Sequence, residues 1–203
     1  MLIGIDFDNT IAGYDHVFSE VAVAEGLMKA NEATTKYEVR ELLRSRGGEK
    51  DWMKLQGRVY GAHIEKAILI DGVDEFLKRC HAKGVPVTII SHKTEFGHFD
   101  PDQINLHDVT RAWMRKRQFF SESGYGLSED KVIFKPTREE KVEQIANSGC
   151  THFIDDLEEV FAMPVFPSSI KQFLFSAHAA KQPKMEAKRY GTWKEITDAI
   201  FGA

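Results

Sequence analysis

The sequence predicts an α/β protein built on a doubly wound parallel sheet, with a small helical insertion after the first strand. Three observations lead there. Short apolar runs recur at 2–5, 85–90 and 132–134, and further strand-like segments at 151–154 and 170–175, the pattern of a largely buried sheet. Segments with helical spacing separate most of these runs. The runs that begin the chain, lie mid-chain and lie late in it end in reactive side chains: Asp6 and Asp8, Ser91, and Asp155 with Asp156. Sheets of this kind bind their ligands beyond the carboxyl ends of their strands.

The first run carries the strongest signal. Leu2, Ile3 and Ile5, with Gly4 among them, stop abruptly at Asp6 and Asp8. In extended chain these two carboxylates point the same way and Phe7 the other. Like charges at the mouth of a buried strand repel and resist desolvation, so each raises the other's pKa unless a cation or donors compensate. A Mg²⁺ ion with oxygen ligands compensates both. A turn and helix cap at Asp8-Asn9-Thr10 accounts for Asn9 and Thr10 but leaves Asp6 unexplained.

The insertion spans 13–70, and the core takes 1–12 and 71–203. Val17, Val21, Ala24 and Leu27 mark one amphipathic helix, and Val39, Leu42 and Leu43 another, closed by Gly47-Gly48. A third helix runs from Asp51 through Ile64, and Ala67 to Ile70 is ambiguous. Back in the core, Val73, Phe76, Leu77 and Cys80 mark a helix closing near Gly84. The run from Val85 then ends at Ser91-His92-Lys93. Thr94 to Asn105 reads as a loop broken by Gly97 and Pro101, followed by a helix from His107 to about Ser121. Further helices fall at 137–147 and 193–201.

Composition narrows the function classes. With 203 residues, 42% of them hydrophobic, the chain supports one good core and a small appendage. A net charge of −4 and a pI near 6.1 give no general attraction to nucleic acid or anionic membrane. Cys80 and Cys150 match no metal-ligand spacing and read as buried thiols of a reducing compartment. No leader precedes the first strand and no apolar run spans a bilayer, so the expectation is a soluble cytoplasmic protein without a membrane partner.

Four motifs in order resemble those of the haloacid dehalogenase (HAD) superfamily. They are Asp6-Phe7-Asp8-Asn9-Thr10 after a hydrophobic strand, Ser91 after Val87-Thr88-Ile89-Ile90, a lysine opening a later helix, and Phe153-Ile154-Asp155-Asp156. The resemblance implies a Rossmann-like core and a Mg²⁺-dependent phosphatase that acts on a small phosphorylated metabolite. Asp6 is then the nucleophile that forms an aspartyl-phosphate, and Asp8 the acid and base. The metal is held by Asp6, the backbone carbonyl of Asp8 and the last acidic pair, Asp156 directly and Asp155 directly or through water. Ser91 holds phosphoryl oxygens, and Thr10 secures the loop of the first motif. The third-motif lysine is Lys141, with Lys135 of Lys135-Pro136 as the alternative. His92 and Lys93 stand either at the phosphate or as an ordinary polar strand end. Asp8 favours phosphoryl chemistry over dehalogenation, because halide leaves without a proton.

Within the insertion, Arg40, Arg44, Arg46, Trp52, Lys54, Arg58, Tyr60 and His63 read mostly as solvated face or local packing. The resemblance makes that insertion a cap over the substrate. Two other readings stand beside the phosphatase of a metabolite. One is a phosphatase of a nucleic-acid end, which needs the basic stretch Arg111, Arg115, Lys116 and Arg117 at the site. The other is a non-catalytic protein that binds a phosphometabolite, for which an intact Asp6 and Asp8 are superfluous.

Overall fold

The computed structural model describes residues 1–176 and 188–202. In chain order its strands and α-helices are β1 (Ile3–Ile5), β2 (Ala12–Gly13), α1 (Asp15–Ala24), α2 (Lys36–Ser45), α3 (Glu49–Tyr60), β3 (Ile68–Leu69), α4 (Val73–Ala82) and β4 (Val87–His92). They continue with α5 (Leu106–Lys116), β5 (Val132–Lys135), α6 (Arg138–Asn147), β6 (His152–Asp155), α7 (Glu158–Phe161), β7 (Lys171–Phe175), β8 (Arg189–Tyr190) and α8 (Trp193–Phe201). Six of the strands form one sheet in the order β5-β4-β1-β6-β7-β8, with every neighbouring pair parallel. This is the doubly wound α/β sheet that the apolar runs predict.

The short β1 lies inside the sheet. Ile3 and Ile5 pair with Val87 and Ile89 of β4 on one side and with His152 and Ile154 of β6 on the other. All three β1 residues are buried. Gly4 is required by the packing there: a Cβ at this position would come within 2.4 Å of the Phe153 ring and 2.8 Å of Cys150 Sγ. Phe153 and Cys150 belong to a buried cluster with Ile90, Val142, Ile145, Val160, Phe161 and Leu174. That cluster seats α6 against the sheet and gives the elements that bear the site a common apolar floor.

The chain divides into two units, one of Met1–Ala12, Leu69–Lys93 and Arg115–Ala203, the other of Gly13–Ile68 and Thr94–Met114. The second unit therefore takes in 94–114 as well as the insertion, whereas the sequence reading left 94–114 with the core. Its helices bury Phe18, Val21, Val39, Leu43, Trp52, Leu55 and Val59. Phe18 stacks on Trp52 with ring centroids 5.1 Å apart. Thr35 and Glu38 close α2 with a reciprocal capping box. The stretch 94–105 is held by its backbone: a Cβ on Gly97 would lie 2.6 Å from the Gly57 Cα, so α3 and this loop meet backbone to backbone. Trp113 Nε1 donates to the Ala67 carbonyl at 3.2 Å, which fixes α5 within the same unit.

Three features differ from the sequence expectation. The helix expected to reach Ser121 ends at Lys116, where the chain turns through Gln118 at φ 61°. A sixth strand, β8, pairs with β7 through only two residues, Leu174 with Arg189 and Phe175 with Tyr190. The short helix α7 follows the late acidic pair. Among the described residues no helix is long and apolar enough to cross a membrane.

Candidate active site

Three neighbouring strands of the first unit deliver their last residues to one place. Asp6 and Asp8 follow β1, Ser91 lies near the end of β4, and Asp155 ends β6 with Asp156 beyond it. Asp6 is 5% exposed and its amide donates to the Ile154 carbonyl at 2.9 Å, so β1–β6 pairing runs right up to the carboxylate. Between Asn9 and Ala12 the chain turns tightly, with Asn9 at φ 63°. The Trp193 indole N–H donates to the Thr10 carbonyl at 2.9 Å and pins that turn to α8.

Lys141 reaches the site from α6, whose first turn is capped by the Thr137 hydroxyl. Its ammonium lies 2.7 Å from Asp6 Oδ1 and 2.6 Å from Asp155 Oδ2 and is 1% exposed. Burial alone would drive this amine's pKa down, but the Asp155 and Asp6 carboxylates reverse that and hold it above the usual lysine range. Asp155 is pushed upward, to about 6, by burial, pulled back by Lys141 and pushed up again by Asp6. Both Asp155 oxygens have partners, since Oδ1 accepts from the Leu157 amide at 2.9 Å. Of the two candidate lysines, only Lys141 touches the acids. Lys135 sits opposite His92 in the sheet, and its carbonyl accepts from the Lys93 amide at 2.9 Å.

The two oxygens of Asp6 carry unequal loads. Oδ1 accepts from the Ser91 hydroxyl at 2.9 Å as well as from Lys141. Oδ2 has a long contact, 3.4 Å, with the Thr10 hydroxyl. Thr10 is equally far from Asp156 Oδ1, so it bridges the first and last acidic motifs. Asp6, Asp155 and Asp156 each offer an oxygen within 4.8 Å of the others, a group able to hold a metal ion. Their hard oxygen donors suit a hard divalent cation.

Asp8 lies outside that cluster and has its own cation. Lys93 Nζ sits 2.7 Å from Asp8 Oδ2, with side-chain exposures of 2% and 14%. The other oxygen, Oδ1, is buried without a hydrogen-bond partner among the described residues. A buried acceptor in that condition typically costs about 1–3 kcal/mol. His92, between Ser91 and Lys93, is exposed, and its Nε2–H donates to the Pro136 carbonyl at 3.0 Å. Lost solvation around the ring, helped by Lys141 and Arg138, lowers its pKa. The pairing of Lys93 with Asp8 is what sequence reasoning missed. Its signal was the period of two along β4, which sends Ser91 and Lys93 to one face and His92 to the other.

No protein-family model matches the sequence, and no curated protein matches it. Solved structures do. A HAD-superfamily hydrolase of subfamily IA from Geobacter sulfurreducens is similar at a TM-score of 0.54 and 18% identity over 98% of each chain. A HAD family hydrolase from Deinococcus radiodurans, crystallised with phosphate and sodium, is similar at 0.56 and 14% identity over 98% of this chain and 94% of that one. The fold is that of the haloacid dehalogenase superfamily. Protein tyrosine kinase A of Mycobacterium tuberculosis is similar too, at 0.64 and 16% identity over 98% of this chain and 97% of that one. The HAD fold thus accommodates proteins described as hydrolases and one described as a kinase, so the reaction has to be argued from the site.

Proposed function

We propose that this chain is a Mg²⁺-dependent phosphatase that hydrolyses a small phosphorylated substrate through an aspartyl-phosphate on Asp6. The observation that carries this reading is the separate clamping of two carboxylates, Asp6 by Lys141 and Asp8 by Lys93. A nucleophile and a proton carrier must act on opposite sides of a transferring phosphoryl group, so they are better held apart than paired. Dehalogenation needs the first carboxylate and has no use for the second.

In the first step an oxygen of Asp6 bonds to phosphorus while the bond to the leaving oxygen breaks, and Asp8 supplies the proton that oxygen takes up. In the second, water attacks phosphorus, Asp8 accepts its proton, and the Asp6–phosphorus bond breaks. Oδ2, which carries the lighter load, has lone pairs left for this work. Lys141 and Ser91 hold the carboxylate in place and offset charge as the anionic phosphate approaches. Asp6, Asp156 and the Asp8 carbonyl would hold Mg²⁺, with Asp155 binding directly or through water. Both Asp155 oxygens already have protein partners, which suits a contact through water there. When bound, the metal would supply positive charge that offsets the repulsion of an anionic phosphate by the acid cluster.

In this reading the helical unit, 13–68 with 94–114, is the cap that selects substrate. The nucleic-acid alternative draws less support, since Arg115 of the basic stretch is already paired with Glu129. The test is phosphate release from a panel of phosphorylated metabolites with Mg²⁺ and with chelator, followed by mass spectrometry of rapidly quenched enzyme. Metal-dependent release and a phosphoryl adduct on the peptide bearing Asp6 are expected. Release without metal, or an adduct on another residue, would refute the mechanism.

A further inference from the structure

We propose that Lys93 is a positioning residue for proton delivery: it fixes Asp8 through Oδ2 and leaves Oδ1 as the atom that exchanges the proton with the leaving oxygen. This rests on the phosphatase reading above and adds a residue and an atom to it.

Three observations converge. Lys93 lies two residues beyond Ser91, as Asp8 lies two beyond Asp6, and both pairs close across the β1–β4 junction, Ser91 to Asp6 and Lys93 to Asp8. One face of one strand end therefore serves both carboxylates. The ammonium is almost wholly withdrawn from solvent, which is costly for a cation unless it has an ionic partner, and Asp8 at 2.7 Å is that partner. Finally, the two Asp8 oxygens differ: Oδ2 is engaged, whereas Oδ1 is buried and has no hydrogen bond among the described residues. A free aspartate swings between rotamers, and anchoring one oxygen fixes where the other points. In the first step the proton on Oδ1 passes to the leaving oxygen as its bond to phosphorus breaks, and in the second Oδ1 takes a proton from the attacking water.

An alkyl phosphate needs its leaving oxygen protonated, whereas a nitrophenyl phosphate releases nitrophenolate, which is stable as an anion. This difference separates positioning from a merely structural role. The experiment compares wild type, Lys93→Met and Lys93→Arg on glycerol phosphate and on 4-nitrophenyl phosphate, with Mg²⁺. The Met variant is expected to lose about 10²-fold in kcat/KM on the alkyl ester, as misplacement of a reacting group does; kcat/KM reads the first step alone, whereas the second step is common to both esters. It should keep most of its kcat/KM on the aryl ester, and Arg should restore part of the loss. Equal losses in kcat/KM on both esters would overturn the role of Lys93 while leaving the phosphatase reading in place. Wild type inactive on both, and on the wider metabolite panel, would overturn both. Should Lys93→Met fail to fold, the comparison moves to Asp8→Asn against Asp8→Asn/Lys93→Met, which leaves no unpaired charge. Equal kcat/KM on the alkyl ester supports action through Asp8, and a further loss in the double variant overturns it.

Discussion

Lys141 and Asp6 meet at 2.7 Å although 135 residues separate them, and the contact is buried at both ends. A helix and the central strand are joined there by charge. Breaking a buried pair on one side leaves the other side uncompensated, typically at about 3–5 kcal/mol. Lys141→Ala is therefore expected to lower both stability and kcat/KM, the latter by about 10²-fold or more, the scale of losing one preorganised donor. Lys135→Ala should have little effect on either. Steady-state kinetics with chemical denaturation of both variants checks this, and the reverse ranking would reassign the lysine.

Asp6→Asn should abolish phosphate release and leave the fold intact. The amide is a poor nucleophile, and it keeps the shape that Ser91 and Lys141 grip. Circular dichroism beside the metabolite panel separates lost chemistry from lost structure, and wild-type release by this variant would exclude Asp6 as the nucleophile.

The pH dependence of metal binding follows from Asp155. Its folded pKa, about 6, lies above the ordinary carboxylate value, so without metal the folded state binds the extra proton. Stability from this group is then present at low pH and is lost as pH rises from about 4 toward 6. A divalent cation competes with that proton and prefers the ionised acid cluster. The rise in Tm produced by Mg²⁺ is thus expected to be larger at pH 7 than at pH 5, as differential scanning fluorimetry would report. A shift independent of pH would remove Asp155 from the metal's surroundings.

Trp52→Ala is expected to unfold or loosen the helical unit and to do little else. The side chain is 3% exposed and stacked on Phe18, so its removal costs about 3–5 kcal/mol, the usual range for a large buried aromatic. Hydrogen exchange across α1, α2 and α3 should quicken together. Unchanged protection there with altered substrate preference would make Trp52 a ligand contact.

Gly4→Ala should destabilise the sheet, because the added methyl meets Phe153 and Cys150 inside van der Waals distance. Overpacking of this kind costs about 1–3 kcal/mol, to be read from the denaturation midpoint.

Much of the molecule was legible because its signals are local. Buried parallel strands have to be apolar runs, and carboxylates at their ends have to be tolerated for a reason, so β1, β4, β6, Asp6, Asp8 and the Asp155-Asp156 pair could all be read directly. What escaped depends on partners distant in sequence. The two residues of β8 are too few to show a period and owe their pairing to β7. The grouping of 94–114 with the insertion rests on Gly57 and Gly97, where contact comes from absent side chains and so leaves no hydrophobic pattern. Lys93 stayed open between the phosphate and a plain polar strand end because its partner, Asp8, lies 85 residues earlier.

The hydrogen bond from the Asp6 amide to the Ile154 carbonyl also has a kinetic meaning. This N–H belongs to the β1–β6 ladder, in the buried middle of the sheet, and strands of that kind open only when the whole unit does. Its exchange with deuterium should rank among the slowest in the chain and track global unfolding. Asp6 is thus carried on a segment little subject to local opening, and breathing at helix ends or surface loops is expected to leave its backbone in place.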